Sequence, residues 1–357
     1  MSLQELRRQI DTLDAQILDL LSQRAHVVQE VGHSKTRTQT KFFSPERERQ
    51  IFERLEEANH GPLPPTAVRA IFREILSGMR ALEAQIRVAH LGPAGTFSHQ
   101  AALDKFGTSS ELKAADTIPD VFALVERGEA DYGVVPVENS TEGIVPYTLD
   151  MFHEKGTRLK ICAEVYVPVV HNLASQAETL GEITKLYAHP QAYAQSRSWI
   201  RDNLGTSIEV VDATSNSKAA LLAAAEPTSA AITTSIASEL YGIPLLAQHI
   251  EDSPHNRTRF LVIGENTPQP SGKDKTSIFF SVQHRAGSLM RAMAAFDAHD
   301  INLTMIESRP TKQLPWEYVF FIDIQGHHKE AQVARALKLL EEHSLFVTIL
   351  GSYPEAN

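Results

Sequence analysis

The chain has 357 residues, 42 % of them hydrophobic, with 34 Lys and Arg against 44 Asp and Glu, a formal net charge of −10. That length supports two or three domains with cores of their own, and the acidic balance argues against a nucleic-acid or anionic-membrane surface. A polar, amphipathic start predicts a cytoplasmic protein with no signal peptide or membrane span, and the single Cys162 excludes a disulfide framework or a thiolate zinc cluster.

Residues 1–86 read as three helices. In the first, over 3–35, Leu3, Leu6, Ile10, Leu13, Ile17, Leu20, Arg24, Val27 and Val31 follow a 3-4 spacing that buries one seam. Arg24 is a charge at a position of that seam that should be apolar, and a guanidinium there needs an anion. Ser44-Pro45 opens a second helix that continues to residue 58, with Ser44 as its N-cap and proline at the first helical position. The third carries Val68, Ile71, Phe72, Ile75, Leu76, Met79, Leu82 and Ile86 at spacings of three and four, with Glu83 inside the stripe. This segment holds 12 Lys and Arg and 12 Asp and Glu, leaving 22 against 32 for the remainder, so it is the relatively cationic part.

Arg24 and Lys35 are eleven residues apart, about three turns, so they share a face roughly 16 Å apart and could clasp a small dianion. Arg7 lies roughly 25 Å before Arg24 and about 100° around the helix, too far to join from the same chain. The segments L-R-R-Q-I-D, R-A-H-V-V-Q-E-V-G-H-S-K, S-P-E-R-E and I-F-R-E-I-L-S-G-M-R-A-L-E resemble the all-helical class of chorismate mutase, an intertwined dimer with three helices per chain. The resemblance implies that Arg24 and Arg7 from a second subunit bind the two carboxylates of chorismate. It also implies that Lys35 and Glu83 hydrogen-bond the ether oxygen, Glu48 holds the ring hydroxyl, Arg47 supports the site, and Ser44 and Met79 line it. Glu83 can donate to an ether oxygen only when protonated, so a raised pKa and mutase activity that falls with rising pH are expected.

Residues 87–266 alternate short apolar runs with helical patterns, as in an α/β domain. Strand-like runs fall at 88–91, 132–135, 165–167, 208–211, 230–232 and 260–263, and polar loops follow several of them, the usual place for ligands in open α/β sheets. Gly92-Pro93-Ala94-Gly95-Thr96-Phe97-Ser98 turns from a strand into a helix whose N–H groups could hold a carboxylate. With Val135-Pro136-Val137-Glu138-Asn139-Ser140-Thr141-Glu142-Gly143, His189-Pro190-Gln191 and Thr258-Arg259-Phe260, it resembles prephenate dehydratase over 87–264. That family implies two lobes akin to periplasmic ligand-binding folds, a cleft between them, and Asn139, Ser140, Thr141, Gln195 and above all Thr258 as essential residues. Thr258 is expected to hydrogen-bond the departing hydroxyl, relaying a proton from Glu138 or from water. Thr96, Ser98, Ser217 and Phe260 are expected to touch substrate; Arg259 is either a carboxylate partner or a structural arginine at a strand start, and His189 either an acid or a satisfied loop histidine.

Residues 267–273 are rich in proline and polar residues and read as a linker, after which a β-α-β-β-α-β pattern over 276–350 predicts a ferredoxin-like domain within 275–353. Gly287-Ser288-Leu289 and Glu307-Ser308-Arg309-Pro310 resemble the two motifs of the phenylalanine-responsive ACT domain, normally G-A-L and E-S-R-P. The resemblance implies a dimer interface that binds phenylalanine and closes the dehydratase cleft. The expectation is a three-domain enzyme, with boundaries at 1–86, 87–266 and 275–353, that converts chorismate to prephenate and then to phenylpyruvate under feedback by phenylalanine. It is expected to be a homodimer or dimer of dimers and to use no cofactor or metal; His26 and His33 share a helix face without a carboxylate or thiol to complete a metal set. Arogenate as second substrate, or a central domain kept only as a ligand sensor, are the competing readings.

Overall fold

In a computed structural model, residues 1–38, 43–154, 157–311 and 318–356 are described. The chain divides into two compact units, one of residues 1–44, 51–86 and 106–111, the other of 45–50, 87–105 and 112–357. Its first three elements are the helices α1 (Leu3–Thr38), α2 (Pro45–Ala58) and α3 (Pro65–Glu83). Proline at the first position starts α3, whose Val68 and Leu76 are buried. α3 stops at Glu83, three residues before the end of its apolar stripe: Ala84 is already extended, and the Ile86 carbonyl accepts from Glu111 N at 2.9 Å. The seam of α1 lies open in the single chain: Ile17 is 54 % and Leu20 63 % exposed.

After the helices, a first sheet is built from β1 (Arg87–Leu91), α4 (Phe97–Phe106), β2 (Glu111–Ala115), α5 (Ile118–Glu126), β3 (Tyr132–Asn139), β4 (Gly143–Ile144), α6 (Pro146–Glu154) and β5 (Lys160–Pro168). A second sheet follows, from β6 (Asn172–Ser175), β7 (Lys185–Ala188), α7 (Pro190–Gln195), α8 (Arg197–Asn203), β8 (Glu209–Asp212), α9 (Asn216–Ala223), β9 (Ser229–Thr233), α10 (Ser235–Tyr241) and β10 (Leu245–Ala247). The chain then returns to the first sheet as β11 (Arg257–Gly264), inserted between β3 and β5 in the order β2-β1-β3-β11-β5; the second sheet runs β10-β6-β9-β7-β8. Two crossings therefore join two α/β lobes, the arrangement expected from the sequence, and β11 is antiparallel to both of its neighbours.

The last elements are β12 (Asp274–Ser281), α11 (Ser288–Asp297), β13 (Leu303–Pro310), β14 (Tyr318–Gln325), α12 (Ala331–Glu342) and β15 (Phe346–Pro354). Their sheet order β13-β14-β12-β15 is ferredoxin-like, as the periodicity predicts. One face of this sheet packs Ile278, Phe280 and Ile322 against Phe296 and Leu340 of its own helices. The other sends Phe279, Phe321 and Tyr353 into the cluster that contains Val135, Val137 and Leu261 of the first lobe.

Candidate active sites

In the helical unit, α1 and α3 approach closely at Gly32, where a Cβ would stand 3.3 Å from Glu83 Cβ. That proximity lets Lys35 Nζ donate to Glu83 Oε2 at 2.7 Å, with the Glu83 side chain only 8 % exposed. Arg24 does not take that partner: its Nη1 is buried without a hydrogen bond, and burial lowers its pKa from the ordinary value, with the Glu83 carboxylate opposing the shift. Three of the residues expected around a dianion thus share the α1–α3 face. Arg7 is exposed on α1, and Met79 and Ser44 are half-buried. Arg47 and Glu48 fall in the other unit, where Arg47 donates to Gln50 at 3.3 Å and Glu48 lies 3.8 Å from Lys105.

Between the two lobes opens a cavity of about 310 Å³ bordered by Thr258, Asn139, Gln195, His171, Thr96 and Ser98, among others. The β3–β11 register sets Thr258 opposite Asn139, and Asn139 Nδ2 donates to Thr258 Oγ1 at 2.9 Å and to Asn256 Oδ1 at 2.9 Å. The amide orientation follows from its other end, where Oδ1 accepts the backbone N–H groups of Thr141 and Glu142 at 2.9 and 3.0 Å. With one lone pair of Thr258 taken by Asn139, its own O–H remains to be given to whatever occupies the cleft. Ser140 accepts from Arg257 N at 3.0 Å, which pins the start of β11.

Gln195 donates to Glu142 Oε1 at 3.1 Å and turns Oε1 toward His171 Nε2 at 2.9 Å. His171 is therefore held as the Nε2–H tautomer; it is 2 % exposed, its Nδ1 has no partner, and burial lowers its pKa. Nothing in the sequence pattern marks this histidine, which follows the first crossing between lobes. His189 caps α7 by accepting from Gln191 N at its Nδ1 at 3.3 Å, although it borders the cavity. Gly95, at φ +85° and hemmed in by Ala237 and Ser217, makes the tight turn into α4 that glycine alone tolerates. Thr96 Oγ1 donates to Pro93 O at 3.0 Å, Phe260 and the buried Ser98 border the cavity, and the buried Ser217 donates to Ala94 O and so braces the turn from the other lobe. The N-termini of α4 and α9 both meet the cavity through Ser98 and Asn216, which favours an anionic occupant.

Strand alternation places Arg259 and Glu138 on the opposite face from Thr258 and Asn139. They border a separate cavity of about 430 Å³ with Tyr166, His255 and Arg257. Arg259, expected as a possible carboxylate partner in the cleft, instead ion-pairs with Glu164 at 2.7 Å and Asp323 at 2.6 Å and is 4 % exposed. Burial works against its charge, but Tyr353, Asp323 and Glu164 outweigh it and hold its pKa above the ordinary value.

In the C-terminal sheet Gly287 takes a left-handed conformation at the start of α11, Ser288 is buried and accepts from Arg291 at 3.2 Å, and Leu289 packs on the domain core. Glu307, Ser308, Arg309 and Pro310 form the end of edge strand β13, and Arg309 makes a two-pronged contact with Asp150 of α6 at 3.1 Å each. Among the described residues no group of three His, Cys, Asp or Glu is placed to hold a metal, and no helix is long and apolar enough to cross a membrane.

Three family models match consecutive stretches: chorismate mutase type II over residues 6–84, prephenate dehydratase over 88–268 and the ACT domain over 276–342. The bifunctional chorismate mutase/prephenate dehydratase of Aquifex aeolicus (strain VF5) is 45 % identical over 358 residues, covering 99 % of this chain and 98 % of that protein. Among solved structures, the prephenate dehydratase of Arthrobacter aurescens in complex with L-Phe is 33 % identical with a TM-score of 0.70, over 76 % of this chain and 90 % of that one. A protein described as a novel type of quorum quenching acylase reaches the same TM-score at 28 % identity, over 76 % and 98 % of the two chains.

Proposed function

The chain belongs to the bifunctional chorismate mutase/prephenate dehydratase family, and on that premise we propose which residues carry each step and how the second is controlled. It rearranges chorismate to prephenate and then removes carboxylate and hydroxyl from prephenate to give phenylpyruvate. The first reaction needs no nucleophile. Its substrate must be folded into a chair and the charge growing on the ether oxygen stabilised, so preorganised cations suffice. Arg24, with a guanidinium nitrogen unpaired, takes one carboxylate, and Arg7 of a second subunit takes the other. Lys35 and Glu83 converge on the ether oxygen, with Glu48 on the ring hydroxyl, Arg47 in support, and Ser44 and Met79 lining the site. The open apolar seam of α1 supports a homodimer, or a dimer of dimers.

In the second reaction the carbon–carboxylate bond breaks, its electron pair enters the ring, and hydroxide leaves with one added proton. The observation that carries the assignment is the Asn139–Thr258 hydrogen bond at the cleft, which leaves the Thr258 O–H free to meet the departing hydroxyl. Water, rather than Glu138 on the far face of β3, resupplies the proton. Thr96, Ser98, Phe260 and Gln195 surround substrate, Ser140, Thr141 and Ser217 hold the loops that frame it, and the helix N-termini receive its carboxylates. Phenylalanine binds at Gly287-Ser288-Leu289 and Glu307-Ser308-Arg309-Pro310, a reading supported by the ACT match and by the relative described with L-Phe. Domain limits at 1–86, 87–266 and 275–353, a cytoplasmic location and the absence of a cofactor complete the proposal.

The test is to supply the full chain with chorismate and follow both products. Prephenate that rises and gives way to phenylpyruvate, more slowly when phenylalanine is added, is the expected course. Prephenate that accumulates without phenylpyruvate would contradict the assignment of the cleft.

A further inference from the structure

The turn at residues 140–142 orients two of the amides that border the cleft, Asn139 of β3 and Gln195 at the end of α7. Asn139 Oδ1 accepts from the backbone of Thr141 and Glu142 at 2.9 and 3.0 Å, and the Glu142 carboxylate reaches from the first lobe to accept from Gln195 Nε2 at 3.1 Å. A carboxylate only accepts, so the glutamine turns its NH2 group to Glu142 and its Oε1 the other way. That oxygen meets His171 Nε2 at 2.9 Å, and a ring nitrogen facing a carbonyl oxygen carries the hydrogen.

The His171 ring has little freedom of its own. The residue is 2 % exposed, its backbone N–H donates to Glu251 Oε2 at 2.8 Å, its carbonyl accepts from Ile250 N at 2.9 Å, and its ring meets that of Phe97 edge-on with centroids 5.9 Å apart. Burial lowers its pKa although Gln195 and Glu251 oppose the shift, so the imidazole is neutral, and Nδ1, buried without a partner, is its bare nitrogen. With Nε2–H committed to an amide and Nδ1 shut off from water, this histidine has no proton to exchange with a substrate. It can hold the amide. The last torsion of a glutamine side chain is broad, and packing alone does not set its plane. Glu142 is exposed, so water competes for its end of the chain, whereas His171 grips the buried end.

On the reading that Gln195 meets substrate in this cleft, we propose that His171 is a positioning residue of the dehydratase: its Nε2–H holds the Gln195 oxygen, so that the amide N–H which Glu142 leaves over is presented to the substrate. A flipped amide would set a carbonyl oxygen against an anionic substrate instead.

A double-mutant cycle in the full chain tests this. His171→Phe keeps a ring against Phe97 and removes the Nε2–H; dehydratase kcat/KM should fall on the order of tenfold, with mutase turnover unchanged. His171→Gln, which restores an amide N–H, should return to within about threefold of the native value, and in the already impaired Gln195→Ala background His171→Phe should cost no more than about twofold further. Full activity in folded His171→Phe, a His171→Gln no better than His171→Phe, or an undiminished fall in the Gln195→Ala background would overturn the positioning role. Should His171→Phe fail to fold, Glu142→Ala leaves the amide to His171 alone: a fall of no more than about threefold supports the proposal, and a loss as large as that of Gln195→Ala overturns it. Full dehydratase activity in Gln195→Ala would overturn the reading of Gln195 and this proposal with it, whereas loss there with full activity in His171→Phe overturns the proposal alone.

Discussion

Glu83 is the residue whose chemistry demands most, because a carboxylate cannot donate to an ether oxygen and a carboxylic acid can. Glu83→Gln, which keeps a donor beside Lys35, should retain mutase turnover, and Glu83→Ala should lower it on the order of tenfold; full turnover in Glu83→Ala would contradict the role. His90 supplies a pH dependence. It is 1 % exposed, and burial pushes its pKa down to about 4, against about 6.5 in the unfolded chain. The unfolded state therefore takes the proton first, so stability present above pH 6.5 is lost as pH falls toward 4, by about 3 kcal/mol in all. Urea titrations at pH 7.5 and 5 should show a smaller loss in His90→Gln than in the native chain, and an equal loss would contradict it. At this scale much was legible: Arg24 broke an apolar spacing, and Thr258 and Asn139 sat in recognisable motifs. The face of β11 was not legible, since alternation says that Thr258 and Arg259 point apart without saying which one meets the cleft. His171 was missed for a related reason, as a lone histidine acquires meaning only when Gln195, 24 residues later, folds against it.

Among the elements, α1 makes the sharpest demand. Its seam leaves Leu13, Ile17, Leu20 and Val27 each more than half exposed in the single chain, and a face of that length is stable in water when another helix covers it. Ile17→Asp should dissociate the assembly through this seam in sedimentation experiments and lower mutase turnover on the order of a hundredfold, because the proposed site takes Arg7 from a second subunit. Dehydratase turnover should persist; a dissociated helix pair with full mutase activity would contradict the shared site. The long helices and the ferredoxin-like pattern could be read from periodicity because each repeats its spacing over several turns or strands. β2, β6, β7 and β10 could not, being five residues or fewer, and Glu111-Leu112-Lys113-Ala114-Ala115 has no β-branched residue to mark it. α3 ended before its stripe did: Ala84 is already extended, and Ile86 pairs with Glu111, a contact 25 residues away that no local pattern announces.

For the whole molecule, the account rests on two chemistries held in separate parts of one chain: cations on the α1–α3 face for a rearrangement, and a hydroxyl at an anion-friendly cleft for an elimination. Segment order and motif content made this legible, whereas the packing of the C-terminal sheet on the first lobe was not, because the ion pairs that join them link Glu164 to Lys275 and Arg259 to Asp323 across long stretches of sequence. The most direct measurement is a product analysis of Arg24→Ala and Thr258→Ala in the full chain, each given chorismate and, separately, prephenate. Arg24→Ala should convert prephenate to phenylpyruvate at the native rate while leaving chorismate unchanged, and Thr258→Ala should turn chorismate into prephenate and stop there. Loss of both activities in either folded variant would contradict the account.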